Sequence, residues 1–170
     1  FSYNINKELL QGTKVEVLAK VDENKTDQYF FSEGFFNFKD KSHLAKETKI
    51  KIHKDVFGDK SQDPRIYGSS SNSNENKTVL NNAIFTSCKL NDNCPPWSIK
   101  AEKITHDKIK KDMIYKNAVL KIYDVPIMYF PKFFHPDPTV KRQSGFLAPS
   151  LLTQNTSSYL KTPYFFVLSE

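Results

Sequence analysis

The chain has 170 residues, enough for one domain or for one domain and part of a second. Aromatic residues make up 14% of it, with 14 Phe and 8 Tyr, which excludes a disordered chain and supplies apolar surface in large, flat pieces. The net charge is +6, but the lysines are dispersed, and no Arg-rich run, RNP-like aromatic motif or Cys/His finger spacing supports nucleic-acid binding.

The opening FSYNINKELL already reads as the middle of a pattern, so the chain is expected to be a piece of a longer protein. In KVEVLAKV, Val15, Val17, Ala19 and Val21 share one face, and Lys14, Glu16 and Lys20 take the other. KETKIKIHK alternates Ile50 and Ile52 with Lys49, Lys51 and His53. This period of two is the signature of a half-buried strand. Between such runs lie polar turns, as in SYNINKELL, KVDENKTDQYF and NFKDKSHLA. With only 5 Gly, these turns must be built from Asn, Asp and Lys.

DKSQDPRIYGSSSNSNENKT is dense in Ser and Asn and predicts a longer, mobile loop around one short strand at residues 65–69. Trp97, Ile99 and Ala101 then share a face, as do Ala118, Leu120 and Ile122. The one Lys-rich helical candidate, ITHDKIKKDMIY, is interrupted by His106-Asp107 in turn position, so no window sustains a helical period. VPIMYFPKFFHPDP carries Pro126, Pro131, Pro136 and Pro138; proline cannot donate to a ladder, which predicts a stiff connector or an edge. FLAPSLLTQ and YLKTPYFFVLSE predict two further strands, joined by polar NTSS and apolar enough to face lipid.

Catalytic and metal chemistry find little support. His43, His53, His106 and His135 are scattered without ligand spacing, and there is no Ser/His/Asp order or Gly-rich phosphate loop. The expectation is a non-enzyme with no metal and no cofactor. Cys88 and Cys94 lie close together among loop residues, which favours a disulfide in an exported protein and only an incomplete metal site in the cytosol.

FTSC at Cys88, a tryptophan after a proline pair in PPWSIKAEKITHDK, the VPIMYFP run and the KRQSGFLAP junction occur in one order between about Asn82 and Phe166. Together they resemble the lipopolysaccharide-assembly outer-membrane proteins of the LptD/OstA family. The resemblance implies an all-β chain. A periplasmic β-jellyroll, a V-shaped rolled antiparallel sheet, would span residues 1–143. The first two strands of an outer-membrane β-barrel would follow over 144–170, with HPDPTVKRQ as the hinge. It implies lipopolysaccharide as passenger, a periplasmic LptA-like bridge jellyroll and an LptE-like plug lipoprotein as partners, and an outer-membrane location with the jellyroll in the periplasm.

On this resemblance the apolar faces line a groove for acyl chains, with Val15, Val17, Phe31, Phe36, Ile50, Ile52, Ile99, Leu120 and Ile122 as candidates. Periodicity alone equally fits a plain core, and a bulge would flip the face. Pro149 and Pro163 would weaken strand pairing at a lateral gate. Cys88 would join either Cys94 or cysteines of a barrel beyond this chain. A carbohydrate-binding or carbohydrate-cleaving β-sandwich is the alternative; it requires a local aromatic platform with carboxylates in place of a continuous apolar stripe.

Overall fold

The computed structural model describes residues 1–57, 61–89, 96–137, 140, 144–146, 150–154 and 157–168. Nine strands follow one another: β1 (Ser2–Asn4), β2 (Leu9–Asp22), β3 (Lys25–Asn37), β4 (Ser42–Lys51), β5 (Arg65–Ser73), β6 (Lys77–Thr86), β7 (Trp97–Asp107), β8 (Asp112–Ile122) and β9 (Val125–Pro136). They form one antiparallel sheet in which neighbours in space are neighbours in sequence. The described helix content is one 3-10 turn, Lys54–Phe57. The fold is all-β, as the alternation predicts.

The turns at one end of the sheet share a chemical device. Asn4, Asn37, Asn74 and Asp107 each turn a side-chain oxygen back to accept a backbone N–H three residues on, from Lys7, Asp40, Lys77 and Lys110, at 3.1, 3.1, 2.8 and 3.1 Å. Such Asx turns replace glycine as the local organiser. Of the polar turns read in the sequence, SYNINKELL and NFKDKSHLA use this motif, as do the turn after Asp107 and the one after Asn74 in the Ser/Asn-rich stretch; KVDENKTDQYF turns at the other end of the sheet.

A crease crosses the sheet. Thr13 pairs with Glu33 and Val15 with Phe31, while Lys14 and Ser32 between them stand outside the ladder. The same interruption passes through Glu47, Ser69, Asn82, Glu102, Asn117 and Pro131 on β4 to β9. Lys14, Glu47, Asn82 and Asn117, on alternate strands, take left-handed φ values of 53°, 46°, 44° and 49°. Each interruption shifts the inward alternation by one residue, so inward positions lie three apart across it: Ala45 and Thr48, Leu80 and Ala83, Ala101 and Ile104, Tyr115 and Ala118. At this level equal numbers of residues leave the ladder on both partners, without a register shift. Breaks aligned across β2 to β9 let the sheet fold toward its inner face.

Small residues on that face let the two halves approach: Ala83, Ala101 and Ala118 are at most 1% exposed. At Gly34 an added Cβ would meet the Phe36 ring at 2.8 Å. The larger core cluster joins Ile66, Leu80, Ile104 and Tyr115, with Trp97, Ile99 and Phe133 against it; a smaller one holds Phe31, Phe36 and Ala45.

Two expectations change. The Ser/Asn-rich stretch is not a loop around a five-residue strand: β5 runs on to Ser73 and a short turn leads into β6. Its inward Ser71 and Ser73 are buried with their hydroxyls bonded to Thr48 and Thr78, so serines here do the work of core residues. The proline-rich stretch resolves as an edge, since β9 pairs only with β8 in the sheet. Beyond it, where two strands are expected, the described residues form four short ones. β10 (Gly145–Phe146) pairs with β13 (Tyr164–Phe165), and β11 (Ser150–Gln154) pairs with β12 (Ser157–Lys161).

Candidate functional site: a groove inside the crease

The inner face encloses a cavity of about 520 Å³, open on one side, whose walls draw on every strand from β2 to β9. The sheet is curled enough for Tyr29 of β3 and Asp137, after β9, to line one cavity. Burial first, then Asp27 and Asp137, push the Tyr29 hydroxyl up to about 12, so it stays protonated.

The crease divides the wall chemically. On one side stand Val17, Ala19, Phe31, Ile50, Ile52, Ile66 and Phe85, with Thr48, Asp27 and His53 as its polar members. On the other, Phe36, Leu80 and Met113 are joined by polar groups. Across the crease Thr48 Oγ1 donates to Ser71 Oγ at 2.7 Å, and Ser71 Oγ lies 3.2 Å from His43 Nε2. Ser73 Oγ and Thr78 Oγ1 are 2.7 Å apart. Lys108 Nζ donates to Ser73 Oγ at 3.2 Å and to the Asn74 carbonyl at 2.7 Å. Burial, assisted by Lys108, lowers the His43 pKa to about 4, so its imidazole is neutral at pH 7.

The wall also holds two aspartates, each held by a histidine. His53 Nδ1 lies 2.8 Å from Asp27 Oδ1, and His106 Nε2 lies 2.5 Å from Asp137 Oδ2. Tyr115 reaches His135 Nε2 at 3.0 Å. Among the described residues, no three His, Cys, Asp or Glu side chains converge to hold a metal.

Of the predicted groove residues, Val17, Phe31, Phe36, Ile50 and Ile52 line the cavity. Val15 pairs with Phe31 and packs into the small cluster beside it. Ile99 and Leu120 pair with each other, as do Trp97 and Ile122; these are inward positions outside the cavity wall. Tyr29, Ile66, Phe85 and Met113 were not anticipated. Their signal lies in the pattern of a small inward residue followed by two polar ones, such as Ala101-Glu102-Lys103, which marks the crease and resets the alternation.

Cys88 sits near the β7 start, its Sγ 3.6 Å from the Trp97 carbonyl and its own carbonyl accepting from Arg65. Cys94 and Pro149 lie outside the described residues. Pro163 falls between β12 and β13, outside either ladder.

No family model matches the chain. Curated relatives do. The LPS-assembly protein LptD of Shewanella denitrificans (strain OS217) is 35% identical over 105 residues, covering 59% of this chain and 13% of that protein. That of Ectopseudomonas mendocina (strain ymp) is 34% identical over 91 residues, 53% of this chain and 9% of the relative. That of Yersinia pestis bv. Antiqua is 37% identical over 89 residues, 52% and 11% of the two chains. The chain thus spans 9–13% of the length of these relatives. Several relatives of one description match about half of this chain at 34–37% identity, which supports reading it as a fragment of an LptD/OstA-family protein.

Proposed function

We propose that the chain acts in lipopolysaccharide assembly at the outer membrane, with residues 1–143 as a periplasmic β-jellyroll and 144–170 as the start of a transmembrane β-barrel. The creased sheet is the V-shaped roll of that reading. Its groove receives lipid A acyl chains from an LptA-like bridge and passes them to the barrel's lateral gate, beside an LptE-like plug. Pro149 and Pro163 loosen that gate, and Cys88 takes part in a disulfide with Cys94 or with the barrel. The action is transport, without a chemical step.

The observation that carries this reading is the apolar half of the cavity wall, which runs from strand to strand across β2 to β6. Burying an acyl chain there is worth about 0.8 kcal/mol per methylene. An open groove shields such a chain while its sugars stay in water. The carbohydrate alternative is less well supported, since the aspartates of the wall are engaged by His53 and His106.

The test is photocrosslinking in cells making labelled lipopolysaccharide, from the full-length protein. A photoreactive residue at Ile50 or Ile52 should capture the lipid, and one at Lys49 or Lys51 far less, because alternate positions face opposite sides. Equal capture from both pairs, or none from either, removes the groove.

A further inference from the structure

The polar half of the groove contains a lysine held by neutral acceptors. Lys108 stands in the turn between β7 and β8 and reaches across to the β5–β6 turn, where both its acceptors are neutral: Ser73 Oγ at 3.2 Å and the Asn74 carbonyl at 2.7 Å. Among the described residues it makes no ion pair; Glu75, the carboxylate that favours its charge, is held by Lys41 at 3.0 Å. Burial lowers the Lys108 pKa, as expected for an ammonium partly withdrawn from water. An ammonium has three donors, and two are used here.

The neighbouring hydroxyls extend the site. Ser73 accepts from Lys108 and is bonded to Thr78 at 2.7 Å. When Ser73 donates in that bond, the Thr78 proton is left for another acceptor. Lys108, Ser73 and Thr78 all face the same cavity whose other half is apolar. One face therefore offers a charged donor, hydroxyls and a hydrocarbon-compatible wall.

We propose that Lys108, with Ser73 and Thr78, forms an anion subsite that receives the phosphate of an amphiphile whose chain lies along the apolar half of the groove. The inference rests on the lipid-groove reading and adds a fixed orientation to it: the anionic end lies at the β5–β6 and β7–β8 turns, and the hydrocarbon runs past the crease toward Ile50 and Ile66.

The test compares lysophosphatidic acid with a monoacylglycerol of the same chain, by calorimetric titration of the chain. The phosphate ester should bind about tenfold tighter, the scale of one charge-assisted contact. Lys108→Gln should abolish that difference and leave the neutral lipid unchanged, Lys108→Arg should retain most of it, and inorganic phosphate alone should not bind. If both lipids bind equally, or Lys108→Gln weakens both alike, the anion subsite is wrong and the groove stands. If inorganic phosphate alone binds in a Lys108-dependent manner, the site serves free phosphate and not a lipid headgroup. If neither lipid binds, the groove reading fails and takes the subsite with it.

Discussion

Asn117 on β8 donates its side-chain amide to the Glu102 carboxylate on β7, and both residues stand outside the ladder that joins their strands. The Tyr129 hydroxyl of β9 donates to Asn117 Oδ1 at 2.8 Å, extending the link to a third strand. Elsewhere along the crease Asn81 Nδ2 donates to Ser70 Oγ at 3.0 Å, and Lys46 pairs with Glu33 at 3.1 Å. The outer side of the bend is thus a polar belt and the inner side a row of small residues. Those two surfaces together hold the sheet folded around its cavity.

Asn117 holds a φ of 49°, a conformation that asparagine tolerates and β-branched residues do not. Asn117→Val should cost about 1–2 kcal/mol from backbone strain alone, and more with the lost side-chain bonds. Asn117→Gly relieves the strain and loses only those bonds. Urea denaturation of both should rank valine well below glycine. Equal midpoints would mean that the left-handed position does not hold the crease.

Ala118 is fully buried and faces Ala101 across the β7–β8 ladder, beside the crease. Ala118→Leu should destabilise by about 1–3 kcal/mol through overpacking. Val119→Leu, one residue on and outward, should stay within about 0.5 kcal/mol of the parent. Thermal melting of the pair checks this, and similar losses at both positions would contradict the inward assignment.

Acid should loosen the fold through its histidines. His43, whose ring packs 5.1 Å from that of Phe31, has its pKa lowered by burial and by Lys108 from 6.5 to about 4, and burial lowers that of His135 too. Below pH 6.5 the unfolded chain therefore binds more protons than the folded one, so stability rises with pH in that window. The contribution of His43 is complete above about pH 6.5 and is lost as pH falls toward 4. Denaturation midpoints should decline over that interval, less steeply in His43→Gln. A parent and variant that decline in parallel would contradict a buried, neutral His43.

Much of this was readable in the sequence. Val15 to Val21 and Ile50 to Ile52 alternate so regularly that strand and inward face follow directly, and polar turn residues stand where the Asx turns form. β5 is not legible in the same way, because GSSSNS has the composition of a loop. Only the partners Thr48 and Thr78, on other strands, turn its serines into interior residues. The curl was hidden for a related reason: Glu102 or Asn82 looks like any exposed polar residue until its neighbours' interruptions line up with it. Lys108 likewise reads as one more turn lysine, since its reach to Ser73 depends on the folded sheet.

The central claim is that the inside of the crease is a binding surface for acyl chains. Val17 and Leu18 test it most directly, because both are apolar and exposed, at 40% and 60%, and alternation puts them on opposite faces. In a Trp97→Phe background, Val17→Trp and Leu18→Trp would each be titrated with lipopolysaccharide carrying brominated acyl chains, and tryptophan fluorescence recorded. Quenching that saturates at position 17 and is absent at 18 is the predicted result. Equal quenching at both, or none at 17, would contradict the account.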